Sequence, residues 1–270
     1  MITIHSTRIN GIATSYLLKE GSGPVTVLFI HGFPFNKQLW EAQLPALPDE
    51  VRGIAYDIRG FGDSESGSSF FTIDLFARDV EALVSGLKLD KVVLCGISMG
   101  GYIALRAFER NAGLYAGLIL CDTTAAADNN EAKLNRFASI ETVQEKGVEP
   151  YAAGFVKKIF SETTLTDRPE AVARISEMIV TTPVTTICSS LLAMASRTET
   201  TALLPSVDVP ALVIRGEDDQ VIPAVQTDLL QQSIPGAVIE TIDAAGHLPN
   251  VENPEAFNRA MNRFLQRFVE

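Results

Sequence analysis

The sequence predicts an α/β protein: a mostly parallel, doubly wound sheet with helices on both faces and a helical block inserted late in the chain. Three observations predict it. Apolar runs of strand length alternate with stretches of helical periodicity along most of the 270 residues, and such alternation builds a parallel sheet covered on both sides. The alternation stops over residues 123–204, where every patterned stretch is helical. It resumes with two more strand runs, 211–215 and 237–242.

Residues 3–9 and 13–18 read as strands joined at Asn10-Gly11, a strong hairpin signal. Residues 25–30 form an unbroken apolar run, the mark of a buried strand, and Ile54-Ala55-Tyr56 is a shorter one. Ile73, Phe76, Val80, Leu83, Val84 and Leu87 recur at helical spacing and make an amphipathic helix. Val92-Val93-Leu94-Cys95 is a strand, 102–108 a helix, and Leu118-Ile119-Leu120-Cys121 the next strand. Helices are expected over 131–139, 151–160 and 169–180 with no strand between them. The core is therefore placed at 1–122 and 205–270, with the insertion at 123–204.

Gly96-Ile97-Ser98-Met99-Gly100 lies between a strand and a helix. In that context a Gly-x-Ser-x-Gly turn is so tight that the serine Oγ is pushed outward, and glycine is needed where side chains would strike backbone. A serine hydroxyl is a weak nucleophile and needs a base that an acid orients. The chain has three histidines. His5 lies in the first strand and His31 precedes the serine, which leaves His247, in a loop after residues 237–242, as the base. The acid is expected between Ser98 and His247 at a strand end. Asp218 and Asp219 both follow the run 211–215, and one of the pair is expected only to close the turn.

Serine, aspartate and histidine in this order resemble the α/β-hydrolase superfamily over nearly the whole chain. The family's acid loop, Gly-x-x-Asp-x-x-x-Pro, matches Gly216 to Pro223 and places the acid at Asp219. A rival position in some members, after the next strand beyond the nucleophile, is Asp122. His31-Gly32-Phe33-Pro34 resembles the oxyanion loop, which assigns the two N–H donors to Phe33 and Met99 and leaves His31 a structural role. Asp57 to Ser64 matches the family's D-x-R-G-x-G-x-S turn, so Asp57 and Arg59 are expected to be structural. The resemblance makes 123–204 a helical cap, with Phe33, Ile97, Phe137, Phe155, Met194 and Leu248 as pocket candidates.

The expected activity is serine hydrolysis of short-chain carboxylic esters through an acyl-enzyme, with acyl groups of about two to six carbons because a capped pocket limits ligand size. Leu120 to Thr124 and Gly246 to Pro254 also look like 3-oxoadipate enol-lactonases. A lactonase of that kind must hold a free carboxylate, for which the insertion offers Arg136, Lys157, Arg174 and Arg197, all expected at the surface. Perhydrolase or carbon–carbon hydrolase chemistry would use the same triad. A non-catalytic ligand receptor on this fold is a further reading.

A net charge of −11 and a pI near 4.8 argue against nucleic acid or an anionic membrane as partner. The expected partner is a small ester or lactone. No Cys/His spacing for a metal, P-loop or dinucleotide fingerprint is present, so no metal and no cofactor are expected. Cys95 and Cys121 lie in apolar strand runs and read as buried free thiols. With no secretory pattern before the first strand, a reduced, cytoplasmic setting is expected.

Overall fold

The computed structural model describes residues 1–68 and 70–269. Strands β1 (Ile2–Ile9) and β2 (Ile12–Lys19) form the antiparallel hairpin. Asn10 and Gly11 both turn at positive φ, 45° and 82°, which suits the tight hairpin connections that Asn-Gly favours. Strands β3 (Thr26–Ile30), β4 (Arg52–Tyr56), β5 (Val92–Ile97), β6 (Tyr115–Cys121), β7 (Ala211–Gly216) and β8 (Val238–Ile242) complete an eight-stranded sheet in the order β1-β2-β4-β3-β5-β6-β7-β8. All pairs from β4 to β8 run parallel.

The chain leaves β3 for β4 on one side and then crosses to β5 on the other. Such a reversal opens a crevice at the carboxyl ends of the strands. Here it sets the loop after β3 beside the turn after β5. β3 and β5 are buried and almost entirely apolar, with Val27 to Ile30 and Val92 to Cys95 showing no exposed surface, because both faces of the sheet are covered.

Helices α1 (Ile73–Gly86) and α2 (Met99–Arg110) follow β4 and β5. Thr72 caps α1 by accepting a 3.0 Å bond from the Leu75 N–H, while Ile73, Phe76, Val80, Leu83 and Val84 face the sheet. Each such fully buried side chain stabilises the fold by about 1.5–3 kcal/mol relative to exposure.

Between β6 and β7 lie five helices: α3 (Asn130–Lys146), α4 (Val148–Ile159), α5 (Glu162–Asp167), α6 (Pro169–Val180) and α7 (Val184–Ala195). The sequence pattern did not show α7, which buries Ile187, Leu191, Ala193 and Met194. With Thr186 and Ser190 buried and Val184 and Leu192 exposed, it has no clean helical stripe to read. The remaining helices are α8 (Ala224–Ser233), α9 (Pro249–Glu252) and α10 (Pro254–Val269). Among the described residues no single helix is long and apolar enough to cross a membrane.

Candidate active site

Ser98 stands between β5 and α2 at φ 54°, ψ −117°, a backbone conformation that is strained for a residue with a Cβ and costs about 1–3 kcal/mol. The surroundings over-determine it. Its N–H donates to the Cys121 carbonyl at 2.9 Å, and its own carbonyl accepts from Gly101 N–H at 2.9 Å, Tyr102 N–H at 3.2 Å and Thr123 Oγ1 at 2.8 Å. A Cβ on Gly100 would collide with the Ile30 carbonyl, and one on Gly32 would lie 3.3 Å from the Ser98 Cβ. The absence of side chains thus lets the loop after β3 lie directly against the serine turn.

Buried polar groups anchor the loop. His31 has no exposed surface; its Nδ1 bonds the Gly32 carbonyl at 2.8 Å and its Nε2 accepts from the Ile58 N–H at 3.0 Å. Only the neutral Nδ1–H ring serves both bonds. Burial pulls its pKa down to about 4, the Gly32 carbonyl opposing this only in part. Asp57, also fully buried, accepts from Lys37 N–H at 2.7 Å, Lys37 Nζ at 2.6 Å and Asp63 N–H at 2.8 Å. Burial lowers the Lys37 ammonium, but the hydrogen bonds and charges of Asp57 and Asp63 outweigh it and hold it above its usual range. Arg59 grips Asp79 with two bonds of 2.5 and 2.7 Å.

At the ends of β7 and β8, His247 Nδ1 lies 3.0 Å from Asp219 Oδ2, with the two side chains 2% and 4% exposed. Asp219 Oδ1 accepts from the N–H groups of Val221 at 2.7 Å and Ile222 at 3.2 Å. Burial raises the Asp219 carboxyl, but the charge and hydrogen bond of His247 and these two donors carry it below the usual carboxylate range. Asp218 is exposed and bonds through its backbone N–H to Ala245. Asp122 follows β6 with no exposed surface and accepts from Gly216 N–H at 2.8 Å. Asp122, Asp219 and His247 each offer an atom within 4.8 Å of the others, the one trio among the described residues that could hold a metal ion. The imidazole Nδ1 of that trio is already engaged by Asp219.

Glu252, within the stretch Gly246 to Pro254, carries no role that the sequence pattern assigns. It is 6% exposed, and its carboxylate accepts from Gly246 N–H at 2.9 Å, Leu248 N–H at 3.1 Å and Ser161 N–H at 2.8 Å. It thereby brackets His247 and ties that loop to the start of α5. Its place five residues after His247 was the available signal. His247 N–H also donates to the Ile159 carbonyl at 2.7 Å, so the inserted helices hold the base loop directly.

A cavity of about 810 Å³ opens between α3, α4 and the Asp219 loop, bordered by Arg136, Tyr151, Phe155, Leu191, Gln220 and Val221 among others. The Phe155 ring lies 6.2 Å from Phe33, edge to face, and 5.6 Å from Tyr151, stacked. The other pocket expectations need correction. Phe137 is 42% exposed; one residue along α3 turns it about 100° from Arg136, which faces the cavity in its place. Ile97 and Leu248 expose nothing and Met194 only 2%, because they are spent on core packing.

Of the four cationic candidates expected at the surface, Arg197 is buried and Arg136 is only partly exposed. Arg197 has a side chain 5% exposed, bonds Asp128 at 2.6 Å and the Ala126 carbonyl at 2.8 Å, and lies 4.0 Å over the Tyr102 ring. Arg136 bonds the same Asp128 at 3.0 Å. Two guanidiniums sharing one carboxylate leave net positive charge at the cavity wall. Arg174 pairs with exposed Glu41, and Lys157 is exposed.

A strained serine after the fifth strand and a histidine–aspartate pair on neighbouring strand ends occupy the crevice of a sheet with this strand order, and residues 25–254 match the family described as alpha/beta hydrolase fold. The chain belongs to that family. A hydrolase of this fold, it is 28% identical to 3-oxoadipate enol-lactonase 2 of Acinetobacter baylyi, covering 95% of this chain and 94% of that one. Among solved structures it is similar to a thermophilic esterase from Thermogutta terrifontis, with 34% identity, a TM-score of 0.91 and coverage of 97% and 98% of the two chains. The enol-lactonase from Burkholderia xenovorans LB400 is similar too, with 28% identity, a TM-score of 0.89 and coverage of 97% and 100%.

Proposed function

We propose that this hydrolase cleaves short-chain carboxylic esters by acyl transfer to Ser98. The observation that carries the reading is the pairing of a strained, Gly-flanked Ser98 with a buried Asp219–His247 hydrogen bond at the carboxyl ends of one parallel sheet. Ser98 Oγ attacks the acyl carbon while His247 takes the hydroxyl proton. Asp219, held in its charged form, stabilises the imidazolium that results. The N–H groups of Phe33 and Met99 receive the oxyanion. Collapse releases the alcohol, which leaves with the proton from His247. Water, deprotonated by the same imidazole, then frees the acid. Residues 123–204 serve as the cap, with Phe155 next to Phe33 at the acyl side. No metal or cofactor enters this reaction.

A second reading is supported by Arg136. Its place on the cavity wall suits an ester or lactone that carries its own carboxylate, as an enol-lactonase substrate would.

One assay series separates these readings. An organophosphonate should label Ser98, and Ser98→Ala should abolish both labelling and turnover. A chain-length series of p-nitrophenyl esters, run beside 3-oxoadipate enol-lactone, should peak at short neutral acyl groups. Labelling of another serine refutes the mechanism, and far better turnover of the lactone favours the second reading.

A further inference from the structure

Asp122 is a buried carboxyl group that the proposed acyl transfer does not use. It stands at φ 41° with no exposed surface. Its Oδ1 accepts from Gly216 N–H at 2.8 Å, while its Oδ2 is buried without a hydrogen-bond partner. An atom of its carboxyl group lies within 4.8 Å of both Asp219 and His247. An ionised carboxylate here would be stripped of water, unsatisfied at one oxygen and close to a second carboxylate. All three conditions disfavour charge.

Building on the hydrolase reading, we propose that Asp122 is a positioning residue: a neutral carboxylic acid at neutral pH whose Oδ2–H is directed at the carboxylate of Asp219. That carboxylate already receives Val221 and Ile222 N–H groups on Oδ1 and the imidazole on Oδ2. A further donor from the β6 side fixes the plane in which it meets His247. Burial first, and the Asp219 charge second, push the Asp122 carboxyl well above the usual range, with the Gly216 N–H opposing them. The charged or titratable groups around it are Asp219, His247 and the Cys121 thiol, and burial pushes Cys121 up as well. The protein therefore holds one aspartate charged and its neighbour neutral, and the neutral one steadies the other.

Asparagine tests this cleanly, since it tolerates the left-handed backbone, keeps an oxygen for Gly216 and offers an N–H₂ towards Asp219. If Asp122 is neutral in the fold, the folded chain holds a proton that the unfolded chain releases above about pH 4, so wild-type stability falls with rising pH relative to Asp122→Asn. The urea midpoint of Asp122→Asn minus that of the wild type should rise from about pH 5 to about pH 8, and a difference independent of pH overturns the proposal. In the pH profile of ester hydrolysis, Asp122→Asn should leave the acid limb in place and lower turnover about threefold. Asp122→Ala should lower it about thirtyfold. If Asp122 is instead ionised, removing its charge shifts that limb down by about one pH unit or more, which also overturns the proposal. Should Asp122→Asn not fold, the infrared spectrum of the ¹³C-aspartate-labelled wild type decides, because a protonated carboxyl band at neutral pH is required. The stability and infrared readings need no turnover, so a failure of the hydrolase reading remains distinguishable from a failure here.

Discussion

At the strand ends the chemistry-bearing side chains are set by backbone. Ser98 is held by four hydrogen bonds through its own N–H and carbonyl, and His247 by its N–H on Ile159. In the helical layer above, the side chains facing the cavity are set by one another: Arg136 by Asp128, and Phe155 by Tyr151 and Phe33. Backbone held by a sheet cannot shift without breaking the ladder, whereas side chains on helices can be exchanged without moving their neighbours' main chain. Under the proposed function, the strand-end loops carry the reaction geometry and the helices carry substrate choice. Substitutions in the first region should reduce turnover of every substrate, and those in the second should change the ranking among substrates.

The largest effect is expected at the acid. Asp219→Asn should lower kcat by about 10⁴-fold, since an amide neither stabilises the imidazolium nor keeps its tautomer, while Asp218→Asn should stay within about twofold. If steady-state kinetics rank the two the other way, His247 has a different partner in action.

Next in size is an acid-sensitive term in stability from His31. Its folded pKa, about 4, lies below the ordinary histidine value, so the unfolded chain takes up the proton first. The contribution is complete above about pH 6.5 and is lost as the pH falls towards 4, amounting to roughly 3 kcal/mol. Urea midpoints across that interval should show the slope in the wild type and a flatter one in His31→Gln. Equal slopes would mean that the ring is charged in the fold.

Glu252 joins the two regions, and Glu252→Gln should cost about 2 kcal/mol of stability through weakened bonds to three buried N–H groups. It should also lower kcat/KM about tenfold for short and long esters alike. A loss confined to one ester class would place Glu252 with the helical layer instead.

The smallest effects should be selective ones. Arg136→Met should weaken kcat/KM about tenfold for esters bearing a carboxylate and leave neutral short esters within about twofold. Phe137→Ala, altering an exposed ring, should change neither by more than about twofold. Uniform losses from Arg136→Met would break the division between the regions.

Much of this was legible from local pattern. Unbroken apolar runs, helical spacing and the glycines around Ser98 are all short-range features, and they identified the sheet, the tight serine turn and the helical insertion. Helix α7 was missed because its buried side carries Thr186 and Ser190 while Val184 and Leu192 are exposed, which blurs the phase, and Phe137 was misplaced because helix phase separates two adjacent residues that composition treats alike.

The sequence by itself determined that a parallel sheet carries a Gly-flanked serine, a late histidine and candidate acids at its strand ends, because each of these is written within a few consecutive residues. The resemblance of the acid loop already pointed to Asp219 as the partner of His247, 28 residues away; only the tertiary structure decided that Asp122 is sealed beside them against Gly216, 94 residues away, and that Glu252 reaches Ser161 across 91 residues. It also decided that Arg197 is buried against Asp128 and that Arg136 meets the same carboxylate from the cavity wall. These outcomes depend on which distant segments the sheet order brings together and on the burial that results. Burial pushes both carboxyl groups up, and only Asp219 has the imidazole and two N–H donors that carry it back down, an environment that no local stretch of sequence encodes.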